Sequence, residues 1–170
     1  MPPFRIRPAT PADLSQIQSI NTHYILNTVL TFRQQPFALS TYEAKLTDLN
    51  SRGLPFLVTI DDSREAENKD EVVLGYTYLS PFRGSMHSYA ATVELSLFGV
   101  KHLTYEDDDV GVSDTDSVPL RSVLAVMAVE PEGVNGCEAL RRWYIQPGFV
   151  ERGRMEKAGF KRGYRIEGMP

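Results

Sequence analysis

Glu94 is the residue whose type and position most clearly suggest chemistry. It lies in the middle of Thr92–Phe98, where polar and apolar residues alternate as in a β-strand. A carboxylate held in a desolvated pocket there can take a proton from a substrate amine, directly or through a water. The alternative is that Glu94 points to solvent from a one-sided sheet, which is the usual place for a glutamate.

A second group of candidate residues follows the strand that precedes Glu94. Arg83, in Pro81-Phe82-Arg83, can grip a carboxylate with two parallel hydrogen bonds, and Tyr89 can form the wall of a pocket. The alternative is an exposed loop that carries a packed aromatic side chain.

Two further aromatic residues have possible roles. Tyr144 falls on a short helix predicted at about Glu138–Gln146, and its hydroxyl can act as a general acid toward a thiolate leaving group. The alternative is a core ring whose hydroxyl reaches the surface. Phe32 is an apolar residue in a connecting segment, and the simplest expectation for it is a place in the core.

Composition limits the classes of protein to consider. With 170 residues, 42% of them hydrophobic, we expect a single domain over residues 1–170. The net charge of −4 argues against nucleic acid and anionic membranes as partners. The lone Cys137 excludes an internal disulfide, and three scattered histidines do not predict a metal site. No signal peptide or membrane span is evident, so the expected location is the cytoplasm.

The elements that position these residues alternate between strands and helices, which predicts α/β or α+β packing around one sheet. Helices are predicted from Thr10, with Leu14, Ile17, Ile20 and Tyr24 as the buried stripe, and from a capping box at Ser40–Glu43, with Tyr42, Leu46 and Leu49 buried. The predicted strands are Phe4–Arg7, Phe56–Ile60, Val72–Leu79, Thr92–Phe98 and Ser122–Val129, the last covered on both faces. The charged stretch Asp61–Glu71 is predicted to be an exposed hairpin loop.

Several of these segments, in this order, resemble the GCN5-related N-acetyltransferase superfamily and its phosphinothricin acetyltransferase-like branch. The resemblance covers most of the first 98 residues and parts of the last fifty. The segments that carry it are IRPATPADL at Ile6–Leu14, HYILNT at His23–Thr28 with Phe32, GYTYLSPFR at Gly75–Arg83, TVELSLF at Thr92–Phe98, GFVERG at Gly148–Gly153 and AGFKRG at Ala158–Gly163.

The resemblance implies a mostly antiparallel sheet, flanked by helices, that opens to admit acetyl-CoA. It also implies direct transfer of the acetyl group to the primary amine of a small, amino-acid-like molecule. By position, Glu94 matches the general base. Tyr144 falls where this branch commonly has a histidine and where many other superfamily members have a tyrosine that acts on the departing thiolate. Phe32, Arg83 and Tyr89 match residues that line the acceptor pocket, while main-chain groups around Leu97 and Phe98, together with Asn135, match the cofactor-binding positions.

The chain departs from the family pattern after the Glu94 strand. The family has a glycine-rich loop there, at the start of a long helix, and backbone N–H groups of that loop hold the cofactor pyrophosphate. Here Phe98 is followed directly by Gly99-Val100-Lys101-His102-Leu103, so a shortened central crossover is expected. A further strand of the family is also missing after Pro170. An alternative function is therefore a non-catalytic relative that binds a ligand or a protein through its exposed sheet, and a homodimer is a possible assembly.

Overall fold

The computed structural model describes residues 4–62, 71–84, 86–99, 120–128 and 138–154. Two compact units can be distinguished along the chain, one comprising Met1–Asn21 with Phe37–Val126 and the other Thr22–Pro36 with Met127–Pro170. The single domain over residues 1–170 stays a prediction. The described elements are β1 (Phe4–Pro8), a 3₁₀ turn (Pro11–Asp13), α1 (Leu14–Asn27), α2 (Leu39–Ser51), β2 (Phe56–Asp61), β3 (Val73–Pro81), a 3₁₀ turn (His87–Tyr89), β4 (Thr92–Gly99), β5 (Ser122–Ala125) and α3 (Glu138–Ile145).

The first unit is built on a five-stranded sheet in the order β1-β2-β3-β4-β5. The first four strands are antiparallel to their neighbours, and β5 pairs with β4 in parallel. Because helices flank this mostly antiparallel sheet, the predicted α/β (α+β) fold class is confirmed.

One side of the sheet, here called the helix-side face, holds much of the core. Phe56, Val58 and Tyr76 point to this side and are almost fully buried. Helix α2 adds three buried side chains, Tyr42, Leu46 and Leu49, as the sequence predicts. The same face continues along β3 and β4 through Tyr78, Ser80, Glu94, Ser96 and Phe98, which register pairing places side by side.

Helix α2 begins earlier than the sequence predicts, and its first turn is stabilised differently. The capping box at Ser40–Glu43 is wrong, because Ala38 is the N-cap and Ser40 lies within the helix. The ring of Phe37 instead packs edge-on against that of Tyr42 at 6.0 Å, in the arrangement of a hydrophobic staple. Gly53 ends the helix as expected with a left-handed φ of 64°.

Two other expectations differ from the structure. The buried stripe of α1 ends at Ile25, whereas Tyr24 is only half-buried, because Ile25 continues the spacing of Leu14 and Ile17 around the helix. Strand β5 is shorter than predicted and is not covered on both faces, since Val123 is 40% and Leu124 is 37% exposed.

Some predictions fall outside the described residues. They include most of the Asp61–Glu71 loop, the shortened crossover that follows Gly99, and the positions of Asn135 and Cys137.

Candidate active site

The hairpin formed by β3 and β4 places Glu94 among polar and aromatic side chains. Ser80 lies opposite Glu94, Tyr78 opposite Ser96, and Tyr76 opposite Phe98. All six side chains therefore project from the helix-side face. The ring of Phe98 stacks on that of Tyr76 at 5.0 Å, on the same face and four residues along β4 from Glu94.

The Glu94 side chain is half-buried, and no contact with another described side chain gives it a structural role. Within those residues its carboxylate makes no hydrogen bond or ion pair, and only its main-chain carbonyl accepts a long bond, at 3.5 Å, from Ser80 Oγ. A structural glutamate at this depth would be expected to have a partner. The carboxylate is therefore available to a ligand on this face.

The turn after β3 presents Arg83 and Tyr89 at the end of the same hairpin. Arg83 adopts a left-handed φ of 54°, a conformation that costs a non-glycine residue about 1 kcal/mol or more. Its guanidinium carbon lies 5.6 Å from the ring centre of Phe82 and 5.8 Å from that of Tyr89. The two rings meet edge-to-face at 5.5 Å. Arg83 is exposed, so its guanidinium remains accessible to an anion.

Strand β4 pairs with β5 over only part of its length. The parallel register begins at Thr92↔Ser122 and ends at Leu95↔Ala125, whereas β4 continues to Gly99. The Thr92 carbonyl accepts from Phe82 N–H on the β3 side, and the Ala91 carbonyl accepts from Arg121 N–H on the β5 side. Because this direction alternates along a strand, the main-chain groups of Leu97 point toward the β5 side, beyond the end of the pairing.

The second unit contains the other two described candidates. Phe32 follows α1 and is 50% exposed, so the expectation that it lies in the core is not met. Tyr144 lies on α3, where its ring packs edge-on against Trp143 at 5.0 Å and Phe149 at 5.6 Å. Burial raises the pKa of the Tyr144 phenol above its usual value. The phenol is therefore protonated at neutral pH.

Comparison with known proteins relates the chain to acetyltransferases, although no protein-family model matches it. Phosphinothricin N-acetyltransferase from Streptomyces viridochromogenes is 29% identical over 171 residues, which is 95% of this chain and 82% of the relative. The ribosomal-protein-alanine N-acetyltransferase of Brucella melitensis has a similar fold, with a TM-score of 0.66 over 94% of this chain and 93% of its own, at 22% identity.

A third similar protein was solved with its cofactor. The yncA acetyltransferase of Salmonella typhimurium, in complex with acetyl-CoA, has a TM-score of 0.51 and 25% identity; the match covers 59% of this chain and 54% of the other. The present chain thus matches about half the length of that structure. The similarity to phosphinothricin N-acetyltransferase supports the predicted resemblance to the GCN5-related N-acetyltransferase superfamily and its phosphinothricin acetyltransferase-like branch. The predicted enzyme class and acetyl donor are confirmed.

The first unit contains five of the predicted site residues, Glu94, Arg83, Tyr89, Leu97 and Phe98. The roles assigned to these five residues stay predictions, as do those of Phe32, Tyr144 and Asn135. None of the helices in the described ranges is long and apolar enough to cross a membrane.

Sequence analysis missed the surroundings of Glu94. Ser80 lies opposite Glu94, and Tyr78 lies opposite Ser96 on the same face. The Lys45 ammonium lies 4.1 Å from the centre of the Tyr78 ring. A signal for Lys45 was present in the sequence, since it follows the buried Tyr42 by three residues and must lie near the same side of α2. The cross-strand pairing that brings Tyr78 and Ser80 to Glu94 depends on strand register, which the composition of a single strand does not define.

Proposed function

We propose that this protein transfers the acetyl group of acetyl-CoA to the primary amine of a small, amino-acid-like molecule, with Glu94 as general base. The observation that carries the proposal is the half-buried Glu94 carboxylate, which has no partner among the described side chains. A base must be desolvated enough to bind a proton and must not be engaged elsewhere. The similarity to phosphinothricin N-acetyltransferase supports an acceptor of this class.

The proposed reaction needs one proton acceptor and one proton donor. Glu94 accepts a proton from the acceptor ammonium, and the resulting amine nitrogen attacks the thioester carbonyl carbon. The new C–N bond forms, the attacking nitrogen loses its second proton to solvent, the C–S bond breaks, and the departing thiolate takes a proton. Tyr144 is assigned this last transfer by family position, and its raised pKa keeps the phenol protonated until then.

The remaining assignments concern binding of the two substrates. Arg83 and Tyr89 would bind an acid group and an apolar part of the acceptor, with Phe32 as a further lining residue. The main chain of Leu97 would pair with the pantetheine arm of acetyl-CoA, beyond the point where β5 leaves β4. The main-chain groups of Phe98 face β3, so Phe98 is proposed only as a neighbouring contact of the arm. Asn135 is proposed as another cofactor contact by position in the family.

Thermal unfolding with acetyl-CoA, followed by an acetyl-transfer assay, tests the proposal. A ligand present at about 100 times its Kd stabilises the native state by about 2.7 kcal/mol, which raises Tm by roughly 5–11 °C in a chain of this length. Release of free CoA thiol with a panel of L-amino acids should then identify acceptors. A Tm that does not respond to acetyl-CoA, together with no thiol release for any acceptor, would contradict the proposal.

The non-catalytic alternative is not favoured, because the relatives that match are acetyltransferases. Cytoplasmic location and a homodimer remain proposals. Light scattering coupled to size-exclusion chromatography at several concentrations tests the dimer, and a mass equal to one chain throughout would exclude it.

A further inference from the structure

Ser80 is the β3 residue that the strand register places directly opposite Glu94. Both side chains project from the helix-side face, and both are half-buried. Residues directly opposite each other in an antiparallel pair have Cβ atoms about 4.5–5.5 Å apart. At this separation a serine hydroxyl reaches a glutamate carboxylate directly, without a bridging water.

The other positions beside Glu94 in the sheet offer its carboxylate less. On the β5 side its register partner is Leu124, whose side chain has no hydrogen-bond donor. Along β4, Thr92 and Ser96 share the face, but residues two apart on one strand are separated by about 6–7 Å. In the described part of the sheet, Ser80 is therefore the side-chain donor that the register brings closest to the carboxylate.

The Ser80 hydroxyl is held only weakly in its present position. Its Oγ donates to the Glu94 main-chain carbonyl at 3.5 Å, whereas O–H···O bonds are usually about 2.7–2.8 Å long. On the opposite face of the same hairpin, Thr77 Oγ1 donates to the Ser96 carbonyl at 2.9 Å, which is the length of a well-formed bond of this kind. A hydroxyl that turns from the Glu94 carbonyl to the carboxylate of the same residue therefore loses little.

We propose that Ser80 is a positioning residue, whose hydroxyl donates to one oxygen of the Glu94 carboxylate and directs the other oxygen toward the acceptor amine. This inference rests on the proposed function and deepens it, because it identifies what fixes the orientation of the base. A glutamate side chain has several staggered rotamers, and proton transfer requires one of them. The hydroxyl can donate before and after the second oxygen takes a proton, so the orientation persists through the transfer.

Steady-state thiol release by single and double variants tests this inference. Ser80→Ala should lower kcat about 10-fold or more with KM nearly unchanged, as expected when a hydrogen bond to a charged group is lost. Ser80→Thr keeps a hydroxyl and should retain most of the rate. Thr77→Val is the matched control, since it removes a hydroxyl from the opposite face of the same strand, and its kcat should equal that of the unsubstituted protein. In a Glu94→Gln background, Ser80→Ala should cause little further loss, because the two residues act as one unit.

A second measurement needs no turnover. The nuclear magnetic resonance signal of the Glu94 side-chain carboxyl carbon, identified by its absence from the spectrum of Glu94→Gln, responds to a hydrogen bond at that group. At neutral pH this signal should move in Ser80→Ala and stay in place in Thr77→Val. Urea unfolding of each variant verifies that it folds.

Three results overturn the inference. They are a Ser80→Ala variant with an undiminished kcat, a Glu94 carboxyl signal that does not move in that variant, and a full additional loss of rate when Ser80→Ala is combined with Glu94→Gln. The last result would give Ser80 a role apart from the carboxylate. Failure of the proposed function is visible separately, as an undiminished rate in Glu94→Gln or an absence of thiol release, while the carboxyl signal still reports the contact between Ser80 and Glu94.

Discussion

Among the described strands, the two outermost strands of the sheet, β1 and β5, are built differently. At the β1 edge, Arg7 donates two hydrogen bonds of 2.8 Å to the buried Asp13, and Glu71 bridges Arg5 and Arg7. At the β5 edge, four residues pair in parallel and large apolar side chains remain exposed. Hydrogen-bonded ion pairs thus stabilise the β1 edge, whereas the β5 edge is held by a short parallel pairing and is lightly attached.

The difference between the β1 and β5 edges suggests a division of roles, in which one edge serves stability and the other serves the proposed function. The predicted site residues of the first unit, Glu94, Arg83, Tyr89, Leu97 and Phe98, all lie on β4 or between β3 and β4, toward the β5 edge. Ligand-binding regions are commonly drawn from the less stable part of a fold, since they must admit or release a partner. Under the proposed function, the charged β1 edge stabilises the sheet while the β4–β5 side accommodates substrate.

The largest expected effect is on catalysis at the β4 edge. Glu94→Gln keeps the shape of the side chain but removes its ability to accept a proton, so kcat should fall about 10²- to 10⁴-fold. Steady-state thiol release measures it, and a thermal melt should show nearly unchanged stability. An undiminished rate would remove Glu94 from the mechanism.

The largest expected effect on stability is at the β1 edge. Asp13→Asn weakens the paired bonds from Arg7 and should lower the free energy of unfolding by about 1.5–3 kcal/mol at neutral pH. Asp48→Asn, in an exposed pair with Arg52 at 2.8 Å, is the control and should cost less than about 1 kcal/mol. Urea unfolding measures both, and equal losses would contradict the distinction between buried and exposed pairs.

The Arg7–Asp13 pair also predicts how the stability of the fold varies with pH. Burial alone would raise the pKa of Asp13, but hydrogen bonds from Arg7 and Thr10 outweigh it, and the pKa is lowered. A carboxyl with a lowered folded-state pKa stabilises the fold above its ordinary pKa of about 4 and loses that contribution as pH falls further. The difference in stability between the unsubstituted protein and Asp13→Asn should therefore shrink in acid. A difference that grows below pH 4 would contradict this assignment.

A matched pair of valines compares β4 with β5 directly. Val93 and Val123 are register partners, yet they are 2% and 40% exposed. Val93→Ala should cost about 1.5–2.5 kcal/mol and Val123→Ala less than about 1 kcal/mol. Denaturant unfolding measures each, and equal costs would mean that β5 is as firmly packed as β4.

At Arg83, a substitution should change acceptor binding more than it changes the stability of the fold. Arg83→Gly relieves the left-handed conformation but makes the unfolded chain more flexible, so the change in stability should stay within about 1 kcal/mol. Acceptor KM should nevertheless rise about 10-fold or more, because a charge-assisted contact is lost. Steady-state kinetics and thermal melts measure these, and an unchanged KM would assign Arg83 to the turn alone.

Much of the fold was predictable from local patterns, because β2, β3, β4 and α3 follow the alternation or helical spacing of their own residues. The candidate residues Glu94, Arg83 and Tyr89 were also apparent from the sequence. The staple between Phe37 and Tyr42 competed with an equally plausible capping box, so the start of α2 was not predictable. Lys45 and Tyr78 meet only because α2 packs on the sheet, a tertiary contact that no local pattern records.

Pro81 extends β3 to a ninth residue, and its missing N–H limits how the hairpin can assemble. It lies opposite Val93, and because Leu79 N–H and Phe82 N–H point to opposite sides of β3, the position of Pro81 needs no donor toward β4. A slip of β4 by one residue would turn Glu94 away from the helix-side face. A slip of β3 that placed Pro81 where a donor is required would forfeit a ladder bond. Pro81 thus disfavours mispairing of β3 with β4, and this pairing orients Glu94, the proposed base.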